Sequence, residues 1–276
     1  MKIIFAKNLG FCFGVKRAVK LSEESLENDP KPIHFLGKPV HNEEVINKIK
    51  KEGGRFISNP PQAESGTLVI RGHGVPPFTP LKNVLIRDLT CPLVKRAQLA
   101  ARSLLEKGYK VIIIGDKKHP EVRGIKGYAK NKALVVENKL QAKKLKKFNK
   151  MGVVAQTTQD FNRVNEILKI LEKRAKDFQW LNTLCPEVTS RQKELSQILK
   201  KTDGILVIGS HSSANTKRLA EIAKKAKGEV FWVNSLADLK KQKLKNVLTL
   251  GVVSGTSAPN WEIKKIKKWL GAKQKQ

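Results

Sequence analysis

The chain of 276 residues predicts an α/β fold of three similar modules, each built on a mainly parallel sheet. Two observations predict the class. Short apolar, β-branched runs alternate with amphipathic stretches across short loops, as in parallel sheets covered by helices. One phrase is also written three times: C-F-G-V-K-R-A over 12–18, C-P-L-V-K-R-A over 91–97 and C-P-E-V-T-S-R over 185–191. From Cys12 to Cys91 is 79 residues and from Cys91 to Cys185 is 94, spacings that suit modules below ordinary domain size. The expected modules are 1–91, 92–181 and 182–276.

Taken in order, the first third opens with a strand at Lys2–Ala6, a loop with Cys12 and a helix from about Val15 to Leu26. A strand at Ile33–Leu36, a helix reaching about Lys51 and a strand at Leu68–Ile70 follow, then Val84–Ile86 before Cys91. The middle third has a helix at Leu93–Lys107, ended by Gly108, and a strand at Val111–Ile114. Lys118–Glu121 reads as a tight turn around Pro120. Ala133–Val136 and Met151–Ala155 read as strands separated by a lysine-rich helix, and Asp160 is placed to cap a helix running to about Lys176. The last third repeats the plan: strand Trp180–Leu184, a helix to about Lys200, strand Ile205–Ile208, a helix to about Lys225, strand Val230–Val233, a short helix and strand Val247–Val253.

All three cysteines head a copy of the phrase. Pro92 and Pro186 follow theirs directly, and proline favours the first helical position. Cys91 and Cys185 therefore fall at helix N-caps, where free N–H groups and the helix dipole favour a thiolate. One such cysteine alone would read as a small buried hydrophobe; three in one local context point to a shared ligand. Zinc is one candidate, although structural zinc sites use close Cys pairs and no C-x-x-C is present. An iron–sulfur cluster is the other; three cysteines would leave a fourth iron open to substrate.

Other chemistry collects beyond strand ends, where α/β sheets bind ligands. His73 lies between two glycines, and His119 and Glu121 flank Pro120 as a pair that could move a proton. Ser212, Ser213, Asn215 and Thr216 crowd a helix start, where hydroxyls and amides cradle anions or serve as plain caps. Ser257, Thr157 and Thr158 have the same two readings, and His34 and His211 read as structural.

The net charge of +31 fits a nucleic-acid, acidic-protein or anionic partner. The lysines, however, fall on polar faces at Lys139–Lys147, Lys240–Lys245 and Lys264–Lys268. They do not alternate with aromatics as a nucleic-acid stacking platform would, so they read as solvated surface. With no signal sequence and no membrane-length apolar run, a cytoplasmic protein is expected, and three dispersed cysteines suit a reducing compartment. The alternative from charge is a basic nucleic-acid-binding protein with a structural zinc or no metal.

Read together, the ordered motifs resemble the 4-hydroxy-3-methylbut-2-enyl diphosphate reductase family. They are Gly10–Val15, Val40–Asn42, Gly72–Val75, Thr90–Val94, His119–Val122, Gln156–Thr158, Cys185 with Arg191-Gln192, Ser213 with Asn215 and Arg218-Leu219, and Ser257–Pro259. The resemblance implies a trefoil of three pseudo-symmetric α/β modules around a central 4Fe–4S cluster held by Cys12, Cys91 and Cys185. It implies a diphosphate pocket lined by His41, His73, His119, Ser213, Asn215 and Ser257, with Thr157 beside the substrate. Glu121, with Thr157 and His119, would handle the proton that lets the C4 hydroxyl leave as water. The products would be isopentenyl and dimethylallyl diphosphate, at the last step of the methylerythritol phosphate route to isoprenoids, with electrons from a ferredoxin or flavodoxin. Val188 and Ala214 depart from the pattern, each standing where the family has a hydroxyl.

Overall fold

Runs such as Val111–Ile114 and Ile205–Ile208 offer no polar face to water, so they form strands covered on both sides. The computed structural model describes residues 1–226, 229–244 and 247–274. Its strands are β1 (Lys2–Phe5), β2 (Ile33–Leu36), β3 (Arg55–Ile57), β4 (Gly66–Ile70), β5 (Val84–Asp88), β6 (Lys110–Ile114), β7 (Leu134–Val136), β8 (Phe148–Ala155), β9 (Ala175–Trp180), β10 (Gly204–Ile208), β11 (Glu229–Val233) and β12 (Thr249–Ser254). Its helices are α1 (Phe13–Asn28), α2 (Glu43–Lys51), α3 (Pro92–Glu106), α4 (Pro120–Tyr128), α5 (Lys139–Lys144), α6 (Phe161–Glu172), α7 (Pro186–Leu199), α8 (Ala214–Lys225), α9 (Leu236–Lys240) and α10 (Asn260–Gln274).

These strands make three four-stranded sheets, ordered β3-β2-β4-β5, β7-β6-β8-β9 and β11-β10-β12-β1. Every pairing among the described residues is parallel. The three sheets share one plan. A first strand lies inside, the second forms one edge, the third pairs on the first strand's other side, and the fourth forms the other edge. In the last sheet β1, from the start of the chain, takes the fourth place, running beside β12 from Lys2↔Thr249 to Phe5↔Val252. This departs from the expected boundaries, which put β1 in the 1–91 module. Local pattern reports that a strand forms; it does not report which neighbour the strand finds.

The chain groups into two compact units. One comprises Met1–Lys16, His41–Glu43 and Pro186–Gln276 and holds the β11-β10-β12-β1 sheet; the other comprises Arg17–Val40 and Glu44–Cys185 and holds the other two. Alternation along each strand divides the cores. In the first unit Leu206 and Ile208 of β10 pack with Leu239, Ile266 and Leu270, while Ile205 and Val207 pack with Leu195, Leu219 and Ala223. In the second, Ile112 and Ile114 of β6 face Val164, Ile167 and Leu171, and Val111 and Ile113 face Ala97, Leu104 and Ile125. Of the lysine runs, Lys139, Lys143, Lys264, Lys267 and Lys268 are exposed, and Lys245 lies outside the described residues.

Two elements, β3 and α10, stand where the sequence reading names none, and three others differ from it. The strand expected at Trp180–Leu184 lies at Ala175–Trp180. It stops there because the Thr183 hydroxyl, not backbone, bonds both the N–H and the carbonyl of Ala155, at 2.8 and 2.6 Å. The preceding helix accordingly ends at Glu172 rather than near Lys176. Where the sequence reads only a turn at Lys118–Glu121, α4 begins, with His119 as N-cap and Pro120 in the first turn. Gly124 and Gly127 weaken its helical signal. Gly127 is needed because the Val75–Pro77 loop lies against it: a Cβ there would sit 2.5 Å from Pro76 Cβ, whereas one on Gly124 would meet the Gln98 side chain at 3.0 Å.

Candidate active site

In each sheet the fourth strand leads to a cysteine and the cysteine to a helix: β1 to Cys12 and α1, β5 to Cys91 and α3, β9 to Cys185 and α7. All three cysteines are half-buried and outside any disulfide. Each cysteine N–H donates to the carbonyl two residues beyond the third strand of its sheet. Cys12 bonds Thr256 at 3.1 Å, Cys91 bonds Gly72 at 2.9 Å, and Cys185 bonds Thr157 at 2.9 Å. Cys12 Sγ also accepts the Val15 N–H at 3.4 Å, a helix-terminus contact that favours thiolate. Reduced thiols set at helix N-termini by one repeated bond are a fitting donor set for a soft metal or an iron–sulfur cluster.

In the unit holding the first and second sheets, the loops after the third strand of one and the first strand of the other bring His73 and His119 together. Their rings lie edge to face, 5.6 Å apart. Gly74 makes the first loop possible: it adopts φ +67°, and Gln98 occupies the place of any side chain. His119 Nδ1 accepts the Glu121 N–H at 3.2 Å, so the neutral ring carries its proton on Nε2. Glu121 is 1% exposed. Its Oε1 accepts the Thr157 N–H at 2.6 Å and its Oε2 the Thr157 hydroxyl at 3.0 Å. Burial pushes its carboxyl up to about 7, against the pull of the two Thr157 bonds, and Asp116 adds a smaller upward push. A carboxyl so placed can hold a proton near neutrality and pass it through a hydroxyl.

The other unit gathers Cys12, His41, Ser213, Asn215 and Ser257 on its own loops. Ser213 caps α8, accepting the Thr216 N–H at 3.4 Å. Ser212 Oγ stands 3.4 Å from His41 Nδ1 and 2.9 Å from Ser210 Oγ. Both side-chain polar atoms of Asn215, and the hydroxyls of Thr216 and Ser257, are buried without a hydrogen-bond partner. Native proteins rarely leave such groups unsatisfied, and a ligand rich in acceptors and donors would satisfy them. Ala214 opens α8 and Val188 is buried on α7, so neither supplies a polar group here.

Sequence reasoning gave no role to Gln156. Its Oε1 accepts from the Asp116 N–H at 2.9 Å and Gln159 Nε2 at 3.1 Å, and its Nε2 donates to Thr158 at 2.9 Å. It therefore fixes the loops that carry His119 and Thr157. Neither structural histidine joins them. His34 is buried inside β2, its pKa lowered by burial and then by Arg55, and the His211 ring lies 4.2 Å from that of Trp232.

The LytB protein family model matches residues 3–271. The 4-hydroxy-3-methylbut-2-enyl diphosphate reductase of Pelobacter propionicus is 37% identical over 275 residues, covering 98% of each chain. That of Trichlorobacter lovleyi is 38% identical over 270 residues, covering 96% of each. The solved structure of the Plasmodium falciparum reductase superposes with a TM-score of 0.91 at 31% identity, over 98% of this chain and 87% of that one. A second solved reductase, described as the terminal enzyme of the non-mevalonate pathway, gives 0.69 at 33% identity, over 99% of this chain and 100% of that one. Matched along nearly its whole length by sequence and by fold, the chain belongs to the LytB family of 4-hydroxy-3-methylbut-2-enyl diphosphate reductases.

Proposed function

We propose that this chain catalyses the reductive removal of the C4 hydroxyl from 4-hydroxy-3-methylbut-2-enyl diphosphate, taking up two electrons and two protons, one proton leaving in water and the other forming the new C–H bond of isopentenyl or dimethylallyl diphosphate. The observation that carries the reading is the buried Glu121–Thr157 pair, on loops whose backbone also anchors Cys185. A 4Fe–4S cluster held by Cys12, Cys91 and Cys185 supplies the electrons and a Lewis-acidic iron when bound. The chain's own residues supply the rest. Glu121, with a pKa of about 7, keeps a proton available at neutral pH, and the Thr157 hydroxyl at 3.0 Å passes it on. Hydroxide is a poor leaving group, so this proton is what lets it depart as water. Asn215 and Ser257, buried with unsatisfied polar atoms, bind diphosphate oxygens with His41, His73, His119 and Ser213. Holding both phosphates fixes the alkenyl tail and makes the reaction effectively intramolecular. Electrons come from a ferredoxin or flavodoxin. Among the described residues no helix is long and apolar enough to cross a membrane, and the place of action is the cytoplasm.

Anaerobic purification tests the reading. The expected product is a brown protein with iron and sulfide in equal amounts that turns over the substrate with a reduced carrier. A colourless zinc protein without turnover would refute it.

A further inference from the structure

Each copy of the cysteine phrase places an arginine on the helix it opens: Arg17 five residues after Cys12, Arg96 five after Cys91, and Arg191 six after Cys185. Each arginine grips the loop of a different cysteine. Arg17, on α1, donates from Nη1 to the Leu89 and Thr90 carbonyls, both at 3.3 Å, and from Nη2 to that of Asp88 at 3.5 Å. Those three residues lead directly into Cys91. Arg96, on α3, donates to the carbonyl of Leu184 at 3.3 Å, the residue before Cys185. Arg191, on α7, donates from Nη2 to the carbonyl of Gly10 at 2.9 Å, two residues before Cys12. Its Nη1 holds the Ser254 and Gly255 carbonyls at 3.1 and 3.2 Å, beside the Thr256 carbonyl that receives the Cys12 N–H.

We infer that Arg17, Arg96 and Arg191 are positioning residues for the three thiols, wired in cyclic order: the first cysteine's helix holds the second's loop, the second's holds the third's, and the third's holds the first's. The inference rests on reading the cysteines as cluster ligands. A carbonyl turned toward a thiolate repels it. A guanidinium that draws the carbonyls aside removes that repulsion and sets positive charge near an anionic ligand set. Arginine suits the task because its fork is planar and always charged. Arg191 is 4% exposed, Arg17 is half-buried and Arg96 is exposed, so the effect of removal falls in that order.

The test compares Arg17→Gln, Arg96→Gln and Arg191→Gln with the native chain. In cluster-free protein, iodoacetamide labelling of each thiol is followed by mass spectrometry of its peptide. Arg17→Gln should speed labelling of Cys91, Arg96→Gln that of Cys185 and Arg191→Gln that of Cys12: about fivefold for Arg96→Gln, the opening that one lost hydrogen bond permits, more for Arg17→Gln and most for Arg191→Gln. Arg96 is exposed, so its variant tests the wiring without threatening the fold. After anaerobic reconstitution, Arg191→Gln should lose iron to a chelator roughly ten- to a hundredfold faster, as lost outer-shell partners do. Its midpoint potential should move negative, whereas Arg191→Lys keeps the potential but not the retention. Faster labelling at the cysteine that heads the mutated helix, or equally at all three, would overturn the wiring. Unchanged iron loss and potential would overturn the positioning role. A native chain that takes up no iron and sulfide would overturn the cluster reading instead, and the labelling pattern would still decide the wiring.

Discussion

Glu121 shows what burial does to a single carboxyl. With 1% of its surface exposed it keeps two donors, both from Thr157, yet burial still pushes its pKa up to about 7 from an ordinary 4.5. Between those values the unfolded chain has released this proton and the folded chain has not. Stability therefore falls as pH rises through that window and is level above it. The difference amounts to about 3 kcal/mol. Glu121→Gln has nothing to titrate, so urea unfolding should show the variant gaining on the native chain from about pH 4.5 to about pH 7. Cluster content and substrate binding should survive while turnover falls roughly 10²–10⁴-fold. Turnover at the native level would remove Glu121 from the proton path. That His119 and Glu121 could act together was legible from their places around Pro120. The Thr157 bonds were not, because residues 36 apart in sequence carry no local sign of contact.

Among elements, helix starts were the most legible feature. Asp160 caps α6, its side chain accepting the Arg163 N–H at 2.7 Å, as its place before an amphipathic run predicts. Asp160→Ala should cost about 1 kcal/mol in chemical denaturation and leave turnover unchanged. A loss within error of zero would mean that the cap adds nothing to packing of Val164 and Ile167. Pro92 and Pro186 likewise marked α3 and α7. The same signal stood at Pro120 and was hidden, because Gly124 and Gly127, the latter admitting a neighbouring loop, broke the helical pattern of α4. The β9 strand was misplaced for a different reason: Thr183 substitutes a hydroxyl for a ladder bond, and no propensity reports such a replacement.

At the scale of the whole molecule, 55 basic residues face 24 acidic ones, which leaves the chain with a large net positive charge. Turnover driven by an acidic protein carrier should therefore fall about tenfold or more as ionic strength rises from about 0.01 to about 0.15 M, where screening shortens from about 30 to about 8 Å. Turnover driven by a small neutral dye should stay nearly constant. Equal losses with both donors would show that the charge does not steer the carrier. The repeated phrase made the number of modules readable, but the exchange of β1 into the last sheet was not, since its partner β12 begins 244 residues after β1 ends. That exchange also orders events during synthesis. Ile3, Ile4 and Phe5 leave the ribosome long before β12, the strand they join, so this apolar segment has no sheet partner until β12 follows. Cys12 follows that segment, and its N–H waits for the Thr256 carbonyl. A nascent polypeptide that stops short of Thr249 can therefore close the backbone bonds of Cys91 and Cys185 but not that of Cys12.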